Sequence, residues 1–115
     1  MNTLGKEGED IASDFLRNKG FSIIRKNYRT VFGEIDIIAK DKGVIVFVEV
    51  KTRTDNAFGH PFEAVDHRKR EKIRKVALSF MKTQKKEFPC RFDVMSITRD
   101  REGTRIEHIQ DAFEV

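Results

Sequence analysis

Near the N-terminus apolar residues recur at helical spacing. Leu4, Ile11, Ala12, Phe15 and Leu16 form one stripe, which predicts a helix over residues 4–19. Gly20, following Asn18 and Lys19, is placed to end it. Gly5 and Gly8 weaken the first turns by about 1 kcal/mol each relative to Ala; they either permit a close backbone approach or mark fraying. The period then shortens to two. Residues 21–29 (FSIIRKNYR) read as a strand with an irregularity at Asn27-Tyr28, and residues 33–40 (GEIDIIAK) as a second. Asp41-Lys42-Gly43 is a turn signal. Residues 44–51 (VIVFVEVK) form the strongest strand; five apolar residues in succession place it at the centre of a sheet.

A polar loop, residues 52–60, leads to Pro61, a residue suited to the first position of a helix. That helix is predicted over 61–85, with Phe62, Val65, Lys69, Ile73, Val76, Ala77, Phe80 and Met81 on its inner stripe. Residues 91–99 and 104–109 read as two further strands. The order α-β-β-β-α-β-β, with a long helix between a meander and a later strand, predicts an α/β fold with a mixed sheet flanked by helices.

Composition narrows the class. At 115 residues the chain has the length of one domain, read here as 1–115. The run Val44 to Val48 is far short of a membrane span, so no membrane partner is expected. MNTLGKEGED lacks the apolar stretch of a secretory signal, and a cytoplasmic protein is expected. The lone Cys90 excludes an intramolecular disulfide and a Cys-rich zinc site; it reads as an inert, half-buried thiol. His60, His67 and His108 share no metal-ligand spacing and read as structural or surface residues.

Charged residues make up 37% of the chain, yet the net charge is only +4. Its distribution is uneven. Residues 1–65 balance at zero, residues 66–86 carry +7, and residues 87–115 carry −3. One basic segment of this kind fits a polyanionic partner or, more blandly, a solvated helix face. Lys69 is the odd member, because it falls on the apolar stripe. Snorkelling to solvent is the favoured reading, with the alternative that it points at the site described next.

The central strand contains a contradiction. Glu49 and Lys51 lie on one face of it, at the end of an otherwise apolar run. Taken alone, they read as an ion pair at the rim of the sheet. The preceding strand places Glu34 and Asp36 on one face and Ile35 and Ile37 on the other. With Lys42-Gly43 as a two-residue turn, paired residue numbers sum to 85 and Asp36 faces Glu49. Two facing carboxylates repel each other. A hard divalent cation removes the repulsion, and Mg²⁺ typically takes one or two carboxylates with phosphate and water oxygens. An ammonium on the same face can orient a water or balance developing charge.

Asp36, twelve intervening residues and Glu49-Val50-Lys51 resemble the PD-(D/E)xK nuclease signature, with Ile35 where the proline would stand. The run GEIDIIAKDKGVIVFVEVKTR, with GKEGEDIA, GHPFEAV and RFDV around it, resembles the YraN-like family of predicted endonucleases and, more distantly, archaeal Holliday junction resolvases. The resemblance implies a restriction-endonuclease-like fold. It implies that Asp36 and Glu49, with the Val50 carbonyl, hold Mg²⁺ or Mn²⁺, and that Lys51 positions the attacking water. It also implies that Glu9 joins the site, whereas on the residues alone Glu9 is equally a favourable first-turn carboxylate. Thr52, Arg53, Arg68, Lys69, Arg70 and Lys72 are the candidate nucleic-acid contacts.

The expected function is a metal-dependent endonuclease on DNA, with branched or recombination intermediates as candidate substrates and a homodimer as a candidate assembly. The alternatives are a non-catalytic nucleic-acid-binding module with the same fold, or an interaction protein in which the charged strand end is only a rim ion pair.

Overall fold

The computed structural model describes residues 3–54 and 67–114. Helix α1 spans Thr3–Asn18, followed by strands β1 (Ser22–Thr30), β2 (Gly33–Asp41) and β3 (Val44–Arg53). Helix α2 (His67–Met81) and strands β4 (Cys90–Asp100) and β5 (Gly103–Phe113) complete the order α-β-β-β-α-β-β. The expected start of the second helix, with His60, Pro61, Phe62 and Val65, lies outside the described residues, as does the side chain of Leu4. Its expected end at 85 is corrected to Met81, after which Thr83 and Gln84 N–H groups turn back onto Phe80 and Met81 carbonyls.

The five strands lie in sequence order, with β3 in the middle. All neighbours are antiparallel except β3 and β4, which run parallel. A parallel pair needs a long crossover, and α2 lies within it. The result is a mixed sheet with one helix on each face.

Two apolar clusters fill the spaces between sheet and helices. Ala12 and Leu16 of α1 pack on Ile37, Ala39, Val46, Val48, Met95 and Ile97. Ile73, Val76, Ala77 and Phe80 of α2 pack on Ile35, Ile38, Phe47, Phe92 and Val94. Strand β3 serves both clusters in alternation, which explains its unbroken apolar run. On α1, Gly20 adopts φ 97° and closes the helix: its N–H meets the Arg17 carbonyl and the Phe21 N–H meets that of Leu16. This Schellman arrangement buries Phe21 and Leu16 in the same cluster.

Gly8 has a packing role. A Cβ there would lie 2.1 Å from Thr52 Oγ1, so its absence lets α1 approach the end of β3. The Lys42-Gly43 turn has φ of 49° and 84°, the paired left-handed geometry of a type I′ hairpin. Cys90 is exposed rather than half-buried. Among the described residues no helix is long and apolar enough to cross a membrane.

Candidate active site

The two-residue turn sets the β2–β3 register. Ile37 pairs with Val48 and Asp41 with Val44, the expected sum of 85. The ladder stops at Ile37–Val48, one step before Asp36 and Glu49. On the other side of β2, Lys26 pairs with Ile37 and Tyr28 with Ile35, so Asp36 is skipped there too. Asn27, across from it, has φ 55°.

This interruption has a consequence that simple alternation does not predict. Ile35 packs against the α2 cluster and Ile37 against the α1 cluster, so the two do not share a face. The strand changes phase at Asp36, because the left-handed residue on β1 breaks the regular pleat beside it. Released from the ladder, the Asp36 carboxylate accepts the Val50 N–H through Oδ2 at 2.8 Å. It thereby stands in for the backbone partner that Val50 would otherwise lack.

Glu49 is the second carboxylate, with its side chain only 10% exposed. Alternation along β3 turns it, with Lys51, towards α2. Lys69 Nζ lies 2.8 Å from Glu49 Oε1, and Lys51 Nζ lies 3.7 Å from the same oxygen. Lys69 therefore does not snorkel away from the sheet. The helix stripe places it inward, and the glutamate beneath supplies the partner that an inward lysine requires.

The electrostatics are uneven. Burial, then the neighbouring Glu49 charge, push Asp36 up to about 7, and the Val50 N–H only partly offsets this. Burial and the adjacent Lys69 lower the Lys51 pKa. For Lys69 burial is the largest influence and acts in the same downward direction, but the contacts with Glu49 and Lys51 and the charges of Glu49 and Asp36 together outweigh it and the pKa rises. Glu9 is raised, chiefly by burial, while its bond from Asn27 works against the shift; its charge also acts on Asp36. Glu9 lines a cleft of about 580 Å³ with Lys6, Lys26, Asn27 and Arg29.

Asp36, Glu49 and Lys51 thus converge, and Lys69 joins them. Among the described residues no group of three or more His, Cys, Asp and Glu side chains forms a metal-holding cluster. Of the expected nucleic-acid contacts, Thr52 packs against Gly8 on the α1 side, while Arg53 shares the face of Glu49 and Lys51. Arg68 and Lys72 are exposed on α2, and Arg70 lies over the Phe113 ring at 5.1 Å, towards the β5 edge. Lys6, Lys26 and Arg29 near Glu9 were not singled out by the sequence, because they are spread over two elements and leave no local charge run. Among the described residues Lys26 is paired with Asp10 and Arg29 with Glu34.

Residues 8–97 match the profile of the uncharacterised protein family UPF0102. The chain belongs to that family. It is the YraN-like family whose sequence blocks the chain carries. A UPF0102 protein of Thermodesulfovibrio yellowstonii is 51% identical over 110 residues, covering 96% of this chain and 95% of its own length. UPF0102 proteins of Persephonella marina and Syntrophus aciditrophicus are each 46% identical over 112 residues, covering 96% of this chain and 93% and 88% of their own lengths. The matched span of UPF0102 holds β2, β3 and α2, and with them Asp36, Glu49, Lys51 and Lys69.

Proposed function

We propose that this UPF0102 protein is a divalent-metal-dependent endonuclease that hydrolyses phosphodiester bonds of DNA. The observation that carries the reading is the convergence of Asp36 and Glu49 off the end of the β2–β3 ladder, with Lys51 and Lys69 against Glu49. A buried Asp36 carboxylate whose proton affinity is raised by burial and by the Glu49 charge beside it is poorly accommodated without a cation. Their hard oxygen donors fit Mg²⁺ or Mn²⁺, which accept one or two carboxylates and fill the remaining positions with water and phosphate oxygens.

In this reading Asp36 and Glu49 hold the ion, with the Val50 carbonyl as a further donor. A bound divalent ion supplies Lewis-acid polarisation of a phosphodiester. The Val50 N–H fixes the Asp36 carboxylate, so one of its oxygens is already oriented. Lys51, on the strand end beside Glu49, orients the attacking water and balances charge that develops on the phosphate. Exposed Arg68 and Lys72, one turn apart on the same side of α2, bind the phosphate backbone.

The test is incubation of plasmid and branched DNA with the protein and Mg²⁺ or Mn²⁺, beside Asp36→Ala and Lys51→Ala. Metal-dependent cleavage is expected, reduced at least about 100-fold by either substitution. Cleavage that survives both overturns the assignment. Salt-sensitive binding with no cleavage under any metal favours the non-catalytic binding module instead.

A further inference from the structure

The closest contact to Glu49 among the described charges is an ammonium group from the opposite element. Lys69 Nζ sits 2.8 Å from Glu49 Oε1, nearer than the Lys51 Nζ of the same strand at 3.7 Å. The Lys69 side chain is still 37% exposed, so it reaches into the site from the first turn of α2 and retains a route out to solvent. Two carboxylates and two ammonium groups then balance in charge: Asp36 and Glu49 against Lys51 and Lys69. A dication added to that balanced set leaves two positive charges in excess around a single glutamate oxygen.

We infer that Lys69 is the counter-ion of Glu49 in the metal-free protein, and that a divalent cation taken by Asp36 and Glu49 must displace it. The inference rests on the proposed nuclease reading and adds how loading of that site is controlled. Lys69 and the cation compete for one oxygen. Lys51 is not an equivalent competitor, because its ammonium is further from that oxygen and its side chain is more enclosed than that of Lys69. Lys69, at the start of a helix and partly in water, can move away by side-chain rotation.

The two roles open to Lys69 give opposite signs. A lysine that merely props Glu49 in place would weaken metal binding when removed. A lysine that competes would strengthen it. The experiment is a Mn²⁺ titration of the full chain without nucleic acid, with free Mn²⁺ followed by electron paramagnetic resonance. Lys69→Gln is expected to bind Mn²⁺ about tenfold more tightly than the wild type, an unscreened ammonium at this distance being ample for that change. Lys69→Arg keeps the charge and is expected to bind like the wild type. Lys82→Gln removes a lysine about 20 Å further along the helix direction and is expected to change affinity less than about twofold. Circular dichroism melting verifies that each variant is folded.

Equal or weaker Mn²⁺ binding by folded Lys69→Gln overturns the inference and leaves the metal site standing. A wild type without any Mn²⁺ site sensitive to Asp36→Asn overturns both the inference and the nuclease reading.

Discussion

Asp93 and Asp36 are carried by inner strands of one sheet, yet their surroundings push their proton affinities in opposite directions. Asp93 points to the α1 face of β4 with its side chain wholly buried. Arg91 grips it at 3.0 and 3.3 Å, His108 Nε2 donates at 2.7 Å, and the Asp111 N–H adds a fourth bond at 2.9 Å. Lys19 donates to the other ring nitrogen of His108 at 2.9 Å, which fits the tautomer with its proton on Nε2. Burial would raise the pKa of Asp93, but these bonds outweigh it and lower it. Asp36 has one backbone donor and a second carboxylate for a neighbour.

The difference separates a carboxylate that is built in from one that is held ready. A fully bonded buried charge holds the sheet together and leaves no lone pair for a ligand. An under-bonded carboxylate beside a second one is tolerated where a cation can complete its coordination. Sequence alone ranks the two poorly, since both are aspartates flanked by apolar residues within strands.

The largest expected effect lies at the built-in cluster. Asp93→Ala strands Arg91 and His108 and is expected to cost about 3 kcal/mol of stability, measured by urea denaturation. A loss of less than about 1 kcal/mol would erase the contrast between the two sites. Next is the helix approach. Gly8→Ala is expected to cost about 2 kcal/mol, because the new methyl meets Thr52 Oγ1 and the better helix propensity recovers only part. Thr52→Ala in the same chain is expected to recover most of it, so the double-mutant cycle gives the coupling directly.

A smaller effect, of opposite sign, belongs to the held-ready site. Asp36→Asn keeps an acceptor for the Val50 N–H and removes one of two facing charges. In chelator at pH 8 it is expected to raise unfolding free energy by about 1 kcal/mol. Destabilisation of that size would mean that the pair is bonded more completely than its geometry shows.

The smallest effect is one of pH. The folded-state pKa of Asp93 is lowered, so its stabilisation is present above the unfolded value of about 4 and disappears as the pH falls through the folded one. Denaturation curves at successive pH values should fall more steeply below about pH 4 for the wild type than for Asp93→Ala.

Much of the fold was legible in the chain. The type I′ turn at Lys42-Gly43 set the expected register as far as Ile37–Val48, one step short of Asp36 and Glu49, and the doubly apolar β3 took the central position. Three features were not legible, each because it depends on a contact between distant elements. The phase change at Asp36 does not show in Glu34 to Ile37, which alternate regularly before the apolar run Ile37-Ile38-Ala39; a signal is Asn27 on β1, a residue type that tolerates positive φ. Lys69 carries a helical period but not the identity of what lies beneath it, which only the β3–β4 crossover determines. For Asp93 the partner Arg91 lies two residues away on the same strand, but His108 of β5 comes to it only through the register that pairs Met95 with His108.

The most direct test of the central claim is a crystal of the full chain soaked in Mn²⁺ and measured for anomalous scattering. One strong peak within coordination distance of carboxylate oxygens of both Asp36 and Glu49, absent in Asp36→Asn, is the expected result. No peak at that pair under saturating Mn²⁺, or peaks only at other carboxylates, would contradict the account.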